Sequence, residues 1–251
     1  MKLNFMKTSM NKIKMVAFDM AGTTVRDNQE VEKCFIEAAR TTGLDFHSAD
    51  ILSMMGWSKR LVFETLWRKF QPKADDSLIQ QNTNNSYLNF KKILEIHYLT
   101  HPIVPTEGTL ELFSYLKAQN IKIALTTGFY RQVTDIILKK LGWLVGLDAN
   151  YVGYESSVIN VSVSSDQVQN SRPAPDMIFK AMQLLEIRDS NSVINIGDTP
   201  SDLQSGINAG CFLSLGVTNG THSFSQLKEF ENDGLLDNIL ELQNVIEGIQ
   251  G

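Results

Sequence analysis

The 251-residue chain is 43% hydrophobic and 20% charged, and its formal net charge is −5. That acidity excludes a general binder of nucleic-acid backbones, and no apolar run approaches the ~20 residues that cross a bilayer. The length suits one domain with an insertion or two unequal domains. The basic, Met-rich stretch Met1 to Lys14 lacks the apolar segment of a secretion signal and reads as a frayed arm. Cys34 and Cys211 lie far apart among apolar neighbours, which suits two buried thiols in a reducing cytosol; the expected location is cytoplasmic.

The first predicted strand, Lys14 to Phe18, ends at Asp19 and the turn Met20-Ala21-Gly22-Thr23-Thr24. From Asn28 to about Thr100 no β-branched run appears. Apolar positions recur there at helical spacing, through Val31 to Ala39, Arg60 to Phe70 and Tyr87 to Ile96. The polar tract Gln80 to Asn85 reads as a helix start or turn, and Trp57, Leu61, Phe63, Leu66 and Trp67 read as core. Two prolines and a glycine in His101 to Gly108 suit a linker. Strand-like runs at Ile121 to Leu125, Tyr151 to Gly153 and Val193 to Ile196 then alternate with helical patterns at Thr109 to Gln119, Gln132 to Leu141 and Pro175 to Leu185. The tail from Gln226 to Gly251 looks helical and acidic. Such alternation implies parallel βαβ units, hence an α/β fold. The expected division is a parallel-sheet core of residues 1–27 and 104–251 with an inserted all-α domain of residues 28–103. An insertion at that place sits over the C-terminal strand ends and acts as a lid.

A carboxylate at the end of a buried parallel strand stands where open α/β sheets bind ligands, so Asp19 suits a metal ligand or a nucleophile. Two residues on, Ala21 offers only a methyl group; acid/base chemistry for Asp19 has to come from elsewhere. Thr126, Thr127 and Gly128 end another strand before a helix, and their hydroxyls and N–H groups fit either a phosphate cradle or a plain helix cap. Arg172, in Ser171-Arg172-Pro173, suits a phosphoryl dianion or a surface ion pair. Asp198 and Asp202 follow the strand Val193 to Ile196 and suit a divalent cation such as Mg²⁺, or a helix cap and its surface neighbour.

Asp19, then Thr126-Thr127-Gly128, then Arg172-Pro173, then Gly197-Asp198-Thr199-Pro200-Ser201-Asp202, in this order, resemble the haloacid dehalogenase superfamily over nearly the whole chain. The resemblance implies a Rossmann-like core, a helical cap and an aspartyl-phosphate intermediate. Most members carry an aspartate where this chain has Ala21 and a lysine where it has Arg172. Those two departures together are similar to the phosphonatase-like branch, whose cap carries Met-Gly-x-x-Lys, here Met55-Gly56-Trp57-Ser58-Lys59.

The branch resemblance implies a hydrolase that cleaves the C–P bond of phosphonoacetaldehyde or a related 2-oxoalkylphosphonate. Lys59 forms a Schiff base that takes up the carbanion's charge, and Asp19 attacks phosphorus. Mg²⁺ is held by Asp19, Asp198 and the Ala21 carbonyl, with Asp202 ordering a bound water or the motif. Thr127, the Gly128 N–H and Arg172 stabilise the phosphoryl oxygens, with Thr126 beside them, and Met55 and Gly56 shape the lysine's pocket. The resemblance also implies a homodimer through the cap, and no nucleic-acid or membrane partner is expected. This chain departs from the branch at Val62, where a histidine is usual, at Met20 in place of Trp and at Phe129 in place of Tyr. A phosphate-ester phosphatase without an imine, or a non-catalytic phosphate binder, are the competing readings.

Overall fold

The computed structural model describes residues 13–46, 50, 54 and 57–250. Most of the expected arm, and Met55 and Gly56, lie outside the described residues. The first strand, β1 (Met15–Phe18), is buried along its length and pairs on both sides. Its neighbours are β2 (Lys122–Thr127) and β4 (Val193–Gly197); β3 (Val161–Ser164), β5 (Leu213–Val217) and β6 (Gly234–Leu236) complete a six-stranded parallel sheet in the order β3-β2-β1-β4-β5-β6. A parallel sheet covered on both faces needs near-continuous apolar strands, and β1, β3, β4 and β5 are buried throughout. Successive β1 side chains point to opposite faces: Val16 and Phe18 join the larger core cluster, Met15 and Ala17 the smaller one. The smaller cluster is closed by Met177, Ile178 and Ala181 of a covering helix (Asp176–Leu184).

Two corrections follow for the strands. Tyr151 to Gly153 is no sheet strand; it makes isolated antiparallel bridges beside β3, and Tyr151 has a positive φ of 61°. The sheet strand there is β3, whose alternating serines hid it. The tail expected to be wholly helical contains β6 between a short helix (Phe224–Leu227) and a last helix (Glu241–Gln250). β5 also escaped the sequence pattern, since Ser214 and Gly216 interrupt it. Gly216 leaves room for the Leu235 side chain, whose Cδ2 would lie 2.6 Å from a Cβ there.

Between β1 and β2 the chain forms α1 (Glu30–Thr41), α2 (Lys59–Phe70) and α3 (Asp76–Thr100) before α4 (Thr109–Ala118) returns it to the sheet. Phe35, Phe63 and Phe90, one from each of the three helices, interlock; Phe35 and Phe63 stack at 4.0 Å. Leu66 and Trp67 are buried beside them as expected, Trp57 packs at the edge, and Leu61 faces solvent. The tract Gln80 to Asn85 is neither start nor turn. It lies inside α3, which starts after Asp75, whose carboxylate accepts from the Leu78 N–H at 2.8 Å. The buried face of α3 runs Ile79, Thr83, Ser86, Phe90, Leu94, so small hydroxyl residues carry it through the polar tract.

This helical segment meets the core at the loop after β2. Tyr130 donates its hydroxyl proton to Glu95 Oε1 at 2.8 Å, Gln132 donates to Glu95 Oε2 at 3.0 Å, and Lys91 Nζ stands 4.2 Å above the Tyr130 ring. Cys34 is buried and Cys211 is half-buried, and both are free thiols. No helix among the described residues is long and apolar enough to cross a membrane.

Candidate active site

Sheet order reverses at β1 and β4, and the crevice beyond the strand ends at such a point is the expected ligand site. The register places Phe18 level with Leu125 and Ile196, so Asp19 emerges beside Thr126 and Gly197. Asp19 donates its N–H to the Ile196 carbonyl at 3.0 Å, and its own carbonyl accepts from Thr24 Oγ1 at 2.8 Å. The chain then folds back on Met20, whose carbonyl accepts from the N–H groups of Thr23, Thr24 and Val25. Gly22 makes this turn with φ +90°, and a Cβ there would fall on the Asp198 carboxylate. Glycine-Thr-Thr is therefore a demand of geometry: the turn must pass against a carboxylate from another strand.

Asp19, Asp198 and Asp202 each offer a carboxylate oxygen within 4.8 Å of the others, and all three are buried. Arg172, 3% exposed, lies among them. Its Nη1 meets Asp19 Oδ1 at 2.5 Å and Asp202 Oδ1 at 2.6 Å, and its Nη2 donates to the Thr126 carbonyl and Oγ1 at 2.8 and 2.7 Å. The surface ion pair that Arg172 suggests in isolation is thereby excluded. Asp198 accepts from Thr23 Oγ1 at 3.2 Å and from the Thr221 N–H at 2.6 Å. It does not cap a helix. Thr199 caps the following helix (Pro200–Asn208), and Asp202 completes that cap by accepting from the Thr199 N–H and hydroxyl at 3.0 and 2.6 Å. Thr126 and Thr127 are likewise strand residues and not caps; Tyr130 occupies the cap position of the next helix (Arg131–Leu141) and gives no side-chain bond.

Burial pushes Asp19 up from the usual carboxylate range against the pull of Arg172, while Asp202 and Asp198 add to the push. Asp198 rises for the same first reason, with Asp202 next to it, although Thr221 and Thr23 bond its charged form. Lys59, the first residue of α2, is 7% exposed where a lone lysine would ordinarily be solvated. Burial draws its amine down to about 8, and the nearby charges of Asp19 and Asp27 oppose that fall.

Lys59, Asp19, Ala21, Thr127, Gly128, Arg172 and Asp202 all line one narrow cavity of ≈ 30 Å³. The structure thus brings together every proposed site residue in the described range, with Thr126 and Asp198 joined to them through hydrogen bonds. Three participants were missed. Asp27 lines the cavity, its sequence signal being a carboxylate just past the Gly-Thr-Thr turn, where the chain leaves for α1. The Thr221 N–H and Gly220 wrap Asp198, and a Cβ on Gly220 would lie 2.5 Å from the Asp198 Cβ. They follow β5, so they were unreadable once that strand was missed.

The switch point of this parallel α/β sheet thus gathers buried carboxylates, an arginine and strand-end hydroxyls. The chain belongs to the haloacid dehalogenase-like hydrolases, whose family profile matches residues 16–215. It is similar to the phosphonoacetaldehyde hydrolase of Bacillus cereus (strain AH187), 30% identical over 217 residues that cover 84% of this chain and 77% of that one. Among solved structures, a phosphonoacetaldehyde hydrolase-like protein from Oleispira antarctica has a TM-score of 0.75 at 19% identity, covering 95% of this chain and 92% of that one. A hydrolase from Pseudomonas syringae has a TM-score of 0.74 at 20% identity, covering 95% of this chain and 100% of that one.

Proposed function

We propose that this hydrolase cleaves the carbon–phosphorus bond of phosphonoacetaldehyde or a related 2-oxoalkylphosphonate, through a Schiff base on Lys59 and an aspartyl phosphate on Asp19. The observation that carries this reading is the buried Lys59 amine, held near 8, in one cavity with the Asp19 carboxylate. Hydrolysis of an ordinary phosphate ester has no use for an amine poised to lose its proton. An aldehyde condenses with one, and the iminium accepts the electron pair of the breaking C–P bond.

Residues 28–103 act as the cap that brings Lys59 to the core. Three buried carboxylates around a single guanidinium carry surplus negative charge, and Gly22 and Gly220 keep the space around Asp198 clear of side chains. That oxygen-only donor set suits Mg²⁺, which Asp19, Asp198 and the Ala21 carbonyl would hold. When bound, the ion neutralises charge between the nucleophile and the phosphonate oxygens. Asp202, fixed by Thr199, aims Arg172. Arg172, Thr127 and the Gly128 N–H bind the phosphonate oxygens, while Thr126 anchors the guanidinium. Asp19 attacks phosphorus in line, the C–P electrons pass through the imine to the Lys59 nitrogen, and water then cleaves the enamine and the acyl phosphate.

Treated with Mg²⁺, phosphonoacetaldehyde and then borohydride, the protein is expected to carry a reduced adduct on Lys59 detectable by mass spectrometry. Lys59→Arg is expected to lose the adduct and at least ~10³-fold in phosphate release. The neutral amine is the nucleophile, so trapping rises tenfold per pH unit at low pH and levels off above about 8. A phosphate-ester phosphatase is the second reading, favoured by Val62, which sits 2% exposed in the apolar interior where the branch usually has a histidine. Absence of any adduct, with Asp19-dependent turnover of phosphate esters, establishes that reading instead. Metal binding has its own signature. Mg²⁺ at ~100 times its dissociation constant is expected to add ~2.7 kcal/mol of stability, about 5–10 °C in Tm, reversed by a chelator in a thermal melt.

A further inference from the structure

The cavity contains one ionisable side chain, Asp27, for which the chemistry above has no use. Asp27 leaves the core just before α1 and lines the cavity together with Lys59, Asp19, Phe129 and Arg172. The other carboxylates are committed. Asp19 faces Arg172 and phosphorus, both Asp202 oxygens are taken by Thr199 and Arg172, and Asp198 is held by Thr23 and Thr221. Arg172 keeps its charge at any working pH. Ala21 has no proton to give, and Val62 is enclosed in apolar packing.

We infer that Asp27 is the proton-transfer residue for Lys59, carrying a proton between the lysine nitrogen and the oxygen of the substrate aldehyde. The inference rests on the Schiff-base reading of Lys59 and adds the acid/base group that this reading lacks. Asp27 is equipped for both directions. Its Oδ1 accepts from the Glu30 N–H at 2.8 Å, which orients the carboxyl, and the Glu30 carboxyl lies close by. Burial and then the bond to Glu30 raise Asp27 to about 7. For Glu30, burial pulls upward, but bonds from Asp27, its own N–H and Asn28 hold it low. The ionisable groups facing Asp27 are Glu30 and Cys34 from α1, Lys59 from α2, Tyr98 from α3 and Asp198 from the loop after β4.

The steps balance. The Asp27 carboxylate takes a proton from the Lys59 ammonium, and the neutral amine adds to the aldehyde carbon, forming a C–N bond as the C=O π pair moves to oxygen. Protons pass from nitrogen to that oxygen by way of Asp27, and water leaves as the iminium forms. After the C–P electron pair has reached nitrogen, the Asp27 carboxylate takes a proton from a solvent water and delivers it to the enamine carbon. A second water then restores the free lysine and releases the aldehyde, so one water is lost and one regained on the nitrogen.

Asp27→Asn keeps the oxygen that orients against the Glu30 N–H and removes the transferable proton, while Asp27→Glu keeps the proton. The test is the rate of borohydride trapping on Lys59 and of phosphate release from phosphonoacetaldehyde between pH 6 and 9, with Mg²⁺ present and a thermal melt on each variant. Asp27→Asn is expected to slow trapping by about 10²-fold, in the range of general acid–base catalysis, and to change its pH profile, with Asp27→Glu recovering part of the rate. Trapping in Asp27→Asn at the wild-type rate and with the wild-type profile overturns the role of Asp27 and leaves the imine standing. No trapping in the wild type overturns the imine and Asp27's role with it. A loss of rate shared equally by both variants, with an unchanged profile, marks a structural residue and also overturns the inference.

Discussion

Asp19→Asn is expected to abolish phosphate release, by about 10⁴-fold or more, while leaving imine formation intact. The asparagine side chain is nearly isosteric, so the ring of contacts around Arg172 survives through Asp202 and Thr126. What disappears is the nucleophile. Lys59 is affected in the opposite sense: the Asp19 charge is the largest influence holding its amine up against burial. Removing that charge lowers the amine further and enlarges its neutral fraction at pH 7. Borohydride trapping on Lys59 in this variant is therefore undiminished at neutral pH. Single-turnover phosphate release and trapping on the same sample separate the two steps; a variant that lost both would place the imine after attack by Asp19.

Arg172→Ala is expected to be the most destabilising single change in the site, by about 3–5 kcal/mol, because it breaks a buried ion pair by removing one side of it. One guanidinium nitrogen bridges Asp19 and Asp202, and the other satisfies both the Thr126 carbonyl and its hydroxyl. Alanine leaves two buried carboxylates facing each other. For a chain of this length the change amounts to about 10 °C in Tm. Arg172→Lys keeps the charge but supplies one head where the site uses a planar fork, and it is expected to fall between wild type and alanine. Denaturant titration gives the stability; phosphate release, expected to drop about 10²–10³-fold in the lysine variant, gives the activity.

The catalytic frame was legible because strand ends advertise themselves. Val16-Ala17-Phe18 and Val193-Ile194-Asn195-Ile196 are apolar runs that halt at an aspartate, and the observed β1 and β4 place those aspartates at the sheet's switch point. Elements whose burial is achieved with small polar residues were not legible. The face of α3 passes through Thr83 and Ser86, β3 spends half its length on serines, and β5 is interrupted by Ser214 and Gly216. Asp27 was hidden for a different reason. A lone carboxylate before a helix is a common cap, and only the folded chain, which sets it across a cavity from a lysine 32 positions later, gives it chemistry.

The ≈ 30 Å³ cavity is lined from two sides, by Val31 and Lys59 of the helical segment and by Asp19, Thr127 and Arg172 of the core. A substrate that meets both Lys59 and Asp19 therefore lies between the helical segment and the core. Near β2 the seam between the two is fastened by the Tyr130 and Gln132 bonds to Glu95 and by Lys91 over the Tyr130 ring. Water replaces such polar fastenings at small net cost, about 1 kcal/mol for each hydrogen bond. A seam of this make parts at little cost, and where its opening limits turnover, kcat is expected to fall as solvent viscosity rises.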